Sequence, residues 1–303
     1  MSTVVKSILS CLVFFGLSAH ANITTKIAKI YPPDEYNSNY EVLAYYDGRV
    51  FEVSPDTPDV LETLKYAKNY EASVDIELAK EFFIDRDAPE LIIKASVNTA
   101  SNPQDYSLHV LNETYEPDQV ESMDHASEMF NHLYARTRRR TECFNRAHIW
   151  NRQLNKDFGI KNEKIFIFYT RKYRRAYRRW KWWFHTAPLI RVAGEPIVLD
   201  REFTTGPISE QAWEEQFSAA NRDIESHRCS KINEMSEYYD RDNTYNKFCN
   251  TLIAPMYYWE PSELSKRENQ SIYKTNWVNW ELRLAAKDVY GRWRDVFNEL
   301  MVD

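Results

Sequence analysis

The chain has 303 residues, 43% of them hydrophobic and 28% charged, which excludes a mainly disordered protein and leaves room for two domains of ordinary size. With 39 basic and 45 acidic residues its formal net charge is −6, an unfavourable balance for a dedicated nucleic-acid binder. The first element, residues 1–21, joins Lys6, an apolar stretch from Ile8 to Leu17 and the sequence Ala19-His20-Ala21, the pattern of a signal peptide cleaved before Asn22. That stretch is too short to cross a bilayer, and Cys11 sits inside it rather than after it, which disfavours a lipid anchor. Removing Lys6 with the leader leaves 38 basic residues against 45 acidic and a net charge of −7. No later segment is apolar enough for membrane insertion, so the expectation is a monomeric protein, secreted or periplasmic.

YEVLAYYDGRVFEVS, from Tyr40 to Ser54, reads as a β-hairpin about Asp47-Gly48, a dipeptide that tolerates the positive φ angles of a two-residue turn. PDVLETLKYAKN follows as a helix, with Pro58 in its first turn and Val60, Leu61, Leu64 and Ala67 at helical spacing. Alternation at Val74, Ile76 and Leu78 and the run from Leu91 to Ile93 predict two more strands. Together these make a small α+β domain over residues 22–118, closing in the loop-like stretch after Asn98. DQVESMDHASEMFNHLYARTR and TECFNRAHIWNRQLNKDFG read as helices, the second ending at Gly159. KIFIFYT, WKWWFHTAPLIRV and PIVLDREF read as strands, the last two joined at Ala193-Gly194. Helices return from Ser209, and a final one carries Trp277, Trp280, Leu284 and Val289 on a face expected to pack on the core. Residues 119–264 form the second domain and residues 265–303 a helical extension.

Between KIFIFYT and WKWWFHTAP lies RKYRRAYRRWK, with seven Lys or Arg in eleven residues and no acid. Against the acidic whole, it reads as a solvated connection near the rim of a site, attracting acidic protein surfaces rather than nucleic acid. Three cysteines remain after the leader, an odd number that suggests one disulfide and one free thiol in an exported protein. Cys229 and Cys249 bracket a polar segment whose closure would contribute about 3 kcal/mol, with two buried thiols as the alternative. Cys143 is then the thiol left over.

Cys143, Ala147, Trp150 and Leu154 share one helical face, so Cys143 points toward the core. A lone cysteine there is ordinarily a small buried hydrophobe, and a partner base is what makes it a nucleophile. Its place in the first turn favours a thiolate, because the helix dipole and unpaired N–H groups lower the thiol pKa. His148 lies about 140° around the helix from Cys143 and reads as structural. His185 sits in an apolar strand and needs a hydrogen-bond partner. If Ala193-Gly194 is a two-residue turn, Asp200 opposes Ala187, a diagonal neighbour of His185 on the same face; a one-residue slip would separate them.

The segments ECFNRAHIWNRQL, WWFHTAPLIRV, IVLDREFTTGPISEQAW and MYYWEPSEL, over about residues 140–264, resemble the protein-glutaminase family, secreted bacterial protein-glutamine deamidases. The most specific parts are Cys-x-x-Arg-Ala-His at Cys143 to His148, aromatic-His185-x-Ala, and Asp200 followed by Gly206-Pro207-x-Ser209 and Trp213. The resemblance implies an α+β fold with a papain- and transglutaminase-like core, in which a helix bearing the cysteine packs on an antiparallel sheet bearing the histidine and the aspartate. It implies Cys143 as nucleophile, His185 as acid/base and Asp200 as the residue that orients His185. Trp183, on the face of His185, is expected beside the site as a substrate contact. Glutamine-bearing proteins or peptides are the implied substrates, with no cofactor and no metal. Arg201 stands where the family often has proline. Family members are made as precursors, so residues 22–118 read as an inhibitory pro-domain or a permanent docking domain. The triad alone leaves open a transglutaminase, a thiol protease, or a non-catalytic binding protein for acidic partners.

Overall fold

The computed structural model describes residues 22–45, 48–79, 89–98, 115–133, 141–176, 182–218, 229–239, 248–270 and 274–291. The expected signal peptide and the RTRRR cluster at residues 136–140 lie outside them. The N-terminal strands are β1 (Asn22–Thr25), β2 (Ile27–Tyr31), β3 (Tyr40–Ala44), β4 (Val50–Val53), β5 (Val74–Leu78) and β6 (Glu90–Val97). They form one sheet in the order β1-β5-β6-β4-β3-β2, in which only β4 and β6 run parallel among the described residues. Helix α1 (Pro58–Asn69) starts on its proline and packs Leu61, Leu64 and Ala67 against Val42, Phe51, Ile76 and Ile92. The predicted hairpin forms as β3 and β4, but with a longer tip. Leu43 pairs with Val50 and the Ala44 N–H donates to the Arg49 carbonyl, so the turn spans Tyr45 to Gly48 instead of two residues.

The second sheet contains β7 (Gln119–Val120), β8 (Glu163–Tyr169), β9 (Phe184–Val192), β10 (Glu195–Val198), β11 (Ile208–Ser209), β12 (Ser230–Lys231) and β13 (Cys249–Pro255). Its order is β11-β10-β9-β8-β13-β12, with β7 parallel to β9. The helices around it are α2 (Met123–His132), α3 (Cys143–Phe158), α4 (Arg171–Ala176), α5 (Glu210–Ser218), α6 (Met235–Tyr239), α7 (Pro261–Gln270) and α8 (Asn279–Tyr290). Helix α2 begins later than the sequence suggests, because Gln119 and Val120 are drawn into the sheet and Ser122 caps the helix by accepting from the His125 N–H. Helix α3 ends as expected at Gly159, whose φ of 69° only glycine adopts at little cost.

Every residue of β8 is buried, which explains its unbroken apolar reading. Phe166 and Phe168 pack with Phe144 of α3, whereas Ile165, Ile167 and Tyr169 pack with Tyr173, Trp213 and Phe217 on the other side. The expected disulfide between Cys229 and Cys249 is present, tying the segment before β12 to the start of β13. Helix α7 runs across the expected boundary at residues 264/265, and α8 packs along α3 through Leu282, Ala285, Ala286 and Val289 against Ile149.

As far as Ala176 the basic run is not a solvated connection; residues 177–181 lie outside the described residues. Its first part is helix α4, and Arg171 and Arg174 are buried. Arg171 donates to Asp34 at 2.6 Å, Arg175 also donates to Asp34, and Arg174 donates to Glu41. Both carboxylates belong to the N-terminal domain. Burial opposes the charge of Arg174, but Glu41, Tyr238 and Tyr31 outweigh it and raise its pKa. Beside this clasp, Ala28, Tyr31, Leu43 and Val50 of the N-terminal domain share one apolar cluster with Phe144, Phe168, Trp183, Phe184 and Trp259.

Candidate active site

The two-residue turn at Ala193-Gly194 forms, both residues having positive φ, and Val192 pairs with Glu195. The ladder continues to Val198 opposite Leu189, and the Leu199 N–H donates to the Pro188 carbonyl. The chain then leaves the strand and brings Asp200 over His185, whose Nε2 lies 2.7 Å from Asp200 Oδ2. A carboxylate only accepts, so Nε2 carries the proton and Nδ1 keeps its lone pair. The Trp213 indole N–H donates to the same Oδ2 at 2.9 Å, and the Glu202 N–H donates to Oδ1 at 3.2 Å. Asp200 is thus buried with three donors, and the imidazole is fixed in tautomer and orientation. Phe203, Trp213 and Phe217 surround the ring at centroid distances of 4.8, 5.9 and 5.2 Å. Phe203 is exposed, so it forms an apolar rim beside His185.

Cys143 opens α3, half-buried and packed against the apolar cluster shared by the two domains. Its sulfur faces the backbone N–H of Thr186, the residue after His185 on β9. The thiol thus lies beside the strand residue that follows His185, and no hydrogen bond joins thiol and imidazole among the described residues. The expected lowering of the thiol pKa is overturned. Burial pushes it up to about 12, with Glu142 and Asp200 adding to the rise, while Arg146 and the Thr186 N–H oppose it. In the full chain the sulfur rests as a neutral thiol.

Arg146 explains the Cys-x-x-Arg spacing. One turn beyond Cys143, it pairs with Glu202 and donates to Thr141 Oγ1 at 2.7 Å, bracing the start of α3 against the loop after Asp200. Arg201, in place of the family's frequent proline, donates to the Phe130 carbonyl at 2.6 Å and stacks over that ring, so the loop is tied to α2. His148 is structural: it is fully buried and Lys164 Nζ lies 2.8 Å from its Nδ1. Burial lowers the pKa of both groups, and Lys164 and Lys274 lower His148 further.

Trp183 lies in the core rather than on the surface of the site. Its indole donates to the Ala44 carbonyl at 2.7 Å, and its backbone N–H donates to Gly48 at 2.9 Å, so it holds the hairpin tip of the N-terminal domain. Gly48 is required there, with φ at 63° and a position where a Cβ would lie 2.9 Å from the Phe184 ring. Sequence reading gives Trp213 no role, although its place in the family-like motif after Asp200 is the available signal; Arg146 is equally visible in the motif around Cys143.

Comparison with known proteins adds to this geometry. The fold is similar to the crystal structure of pro-protein-glutaminase, at 17% identity and a TM-score of 0.50 over 87% of this chain and 90% of that one. A mutant of pro-protein-glutaminase gives 17% identity and a TM-score of 0.51 over 87% and 91%. This likeness shows the fold, mixed α+β with a papain- and transglutaminase-like core. No curated protein matches the chain. Residues 122–217 match the family profile described as glutaminase. The matched segment contains Cys143, His185, Asp200 and Trp213.

Proposed function

We propose that the protein hydrolyses glutamine side chains in proteins or peptides to glutamate, with Cys143, His185 and Asp200 as its catalytic residues. The observation that carries this reading is the His185 ring locked on Asp200 in a glutaminase-family segment, with Nδ1 left for a thiol at the start of α3. His185 Nδ1 takes the Cys143 proton as sulfur attacks the glutamine carboxamide carbon. Backbone N–H groups at the start of α3 stabilise the oxyanion. The C–N bond then breaks, His185 returns its proton to the departing nitrogen, and ammonia leaves a thioester. Water, deprotonated by His185, attacks the thioester and releases glutamate and the thiol, while Asp200 stabilises the imidazolium.

Residues 22–118 act in this reading as a removable pro-domain. The burial of the Cys143 thiol against a cluster to which that domain contributes, and the likeness to pro-protein-glutaminase across both domains, support it. Trp183 would meet substrate only after that domain departs. The Cys229–Cys249 disulfide supports export to an oxidising compartment by the leader at residues 1–21, and among the described residues no helix is long and apolar enough to cross a membrane.

The test is ammonia release from a glutamine-rich protein by the processed chain, together with N-terminal sequencing of the active form. Release without peptide cleavage or cross-linking is expected, and none from Cys143→Ala. Equal release by that variant would overturn the assignment. Peptide cleavage would select a thiol protease and cross-linking a transglutaminase.

A further inference from the structure

Helix α3 lacks a cap of its own. Its N-cap residue, Glu142, makes no side-chain capping hydrogen bond, although the nucleophile proposed above follows it directly. The missing acceptor comes from more than 140 residues away in the chain. Asp288 of α8 reaches across with Oδ2, which accepts from the Glu142 backbone N–H at 2.9 Å and from Asn145 Nδ2 at 2.9 Å. Asn145 is in turn held at its other end, where Oδ1 accepts from the Trp259 indole at 2.8 Å. Carboxylate, amide and indole thus bracket Cys143 on both sides in sequence, and α8 is fastened a second time by Glu281. That residue sits 3.6 Å from His148 and pairs with Lys274, which also donates to Glu263 at 2.9 Å.

We infer that Asp288 is a positioning residue of the active site, acting through Glu142 and Asn145 to fix the first turn of α3 and so the direction of the Cys143 sulfur. The inference rests on the proposed role of Cys143. The C-terminal helix is then part of the catalytic unit, although it lies beyond the segment that matches the glutaminase profile. Two physical consequences follow. Without an acceptor the Glu142 N–H and the Asn145 amide lose their partner, and the helix start frays. The carboxylate also places negative charge at the positive end of the helix dipole, which disfavours a thiolate. The other charged groups acting on the sulfur are Arg146 on α3, Glu142 just before it, and Asp200 after β10; His185 stands one residue from Thr186 on β9.

The test compares D288N and D288A in the full chain. Asparagine keeps an acceptor oxygen and removes the charge; alanine removes both. Iodoacetamide alkylation of Cys143 at pH 8 reads the thiolate directly and needs no substrate. The charge effect predicts a D288N rate about threefold above wild type, equivalent to a shift of about 0.5 pH unit, at an unchanged melting temperature. In the ammonia assay on processed enzyme, D288A should lose about tenfold in kcat with KM little changed, and D288N should recover to within about threefold of wild type. An alkylation rate in D288N equal to wild type, or a D288A enzyme with wild-type kcat, overturns the role. If wild type releases no ammonia while D288N still alkylates faster, the positioning role stands and the deamidase reading falls.

Discussion

The clasp between the domains gives the most demanding prediction. Arg174 is buried, and its guanidinium is held by Glu41, by the Tyr169 carbonyl and by the Tyr238 hydroxyl at 3.3 Å. Glu41 also lies 3.8 Å from Arg171, which Asp34 holds at 2.6 Å, so Glu41 is the carboxylate that neutralises Arg174. Glu41→Gln keeps the shape of the side chain and removes its charge. Breaking a buried pair from one side costs about 3–5 kcal/mol, because the remaining charge stays desolvated. For a chain of this size that corresponds to a fall in melting temperature of about 10 °C. The assay is thermal unfolding of the full chain beside a second variant, Glu41→Leu with Arg174→Met, in which both partners become apolar. That double variant should recover most of the loss, since a well-packed apolar pair replaces a buried ion pair at little cost. A Glu41→Gln protein that melts within about 2 °C of wild type would refute the reasoning, as would a double variant no better than the single one.

Asp200→Asn should lower kcat for ammonia release by at least about a hundredfold, because an amide facing His185 Nε2 no longer fixes the tautomer; steady-state rates check it. Glu260 and Glu214 are both buried, and burial raises each pKa to about 7, above the ordinary carboxylate value. Each therefore contributes stability that is complete below about pH 4.3 and is lost as pH rises through 7. The melting temperature should fall between pH 5 and 8, and Glu260→Gln should flatten that fall; an unchanged slope in the variant argues against the burial cause. Reducing the Cys229–Cys249 disulfide should cost about 3 kcal/mol, read as a lower denaturant midpoint in dithiothreitol than without it.

The second sheet and the candidate site were legible because their signals are local. The two-residue turn at Ala193-Gly194 sets the register that carries Asp200 to His185, and helical spacing put Cys143 at the start of an inward-facing stripe. What failed depended on distant residues. Strand β2 carries a register shift between Ile27 and Lys29, which breaks the alternation that would have announced it. Asp47-Gly48 suggests a tight turn, but docking of Gly48 on Phe184 favours the longer tip. The charge of RKYRRAYRRWK was read as solvated because its partners, Asp34 and Glu41, stand some 130 residues away in the chain. The thiol pKa runs opposite to expectation because the helix start is local, whereas the burial that outweighs it comes from packing against residues distant in the chain.

The path of the chain between the domains has its own consequence. Asn98 ends the N-terminal sheet and Tyr115 begins the contacts of the second domain, donating to the Asn162 carbonyl at the Glu163 end of β8. The clasp and the hairpin tip grip the opposite end, beyond Tyr169, about 20 Å along the strand. A cut between residues 98 and 115 would break the covalent connection while leaving the described contacts of the clasp and the hairpin tip in place. Cleavage and release become separate events. Before the cut the N-terminal domain rebinds at the high effective concentration of a tethered partner; afterwards its departure depends on dilution and on the half-life of a noncovalent complex. Under the pro-domain reading proposed above, ammonia release by a nicked protein should stay low at high concentration and rise on dilution.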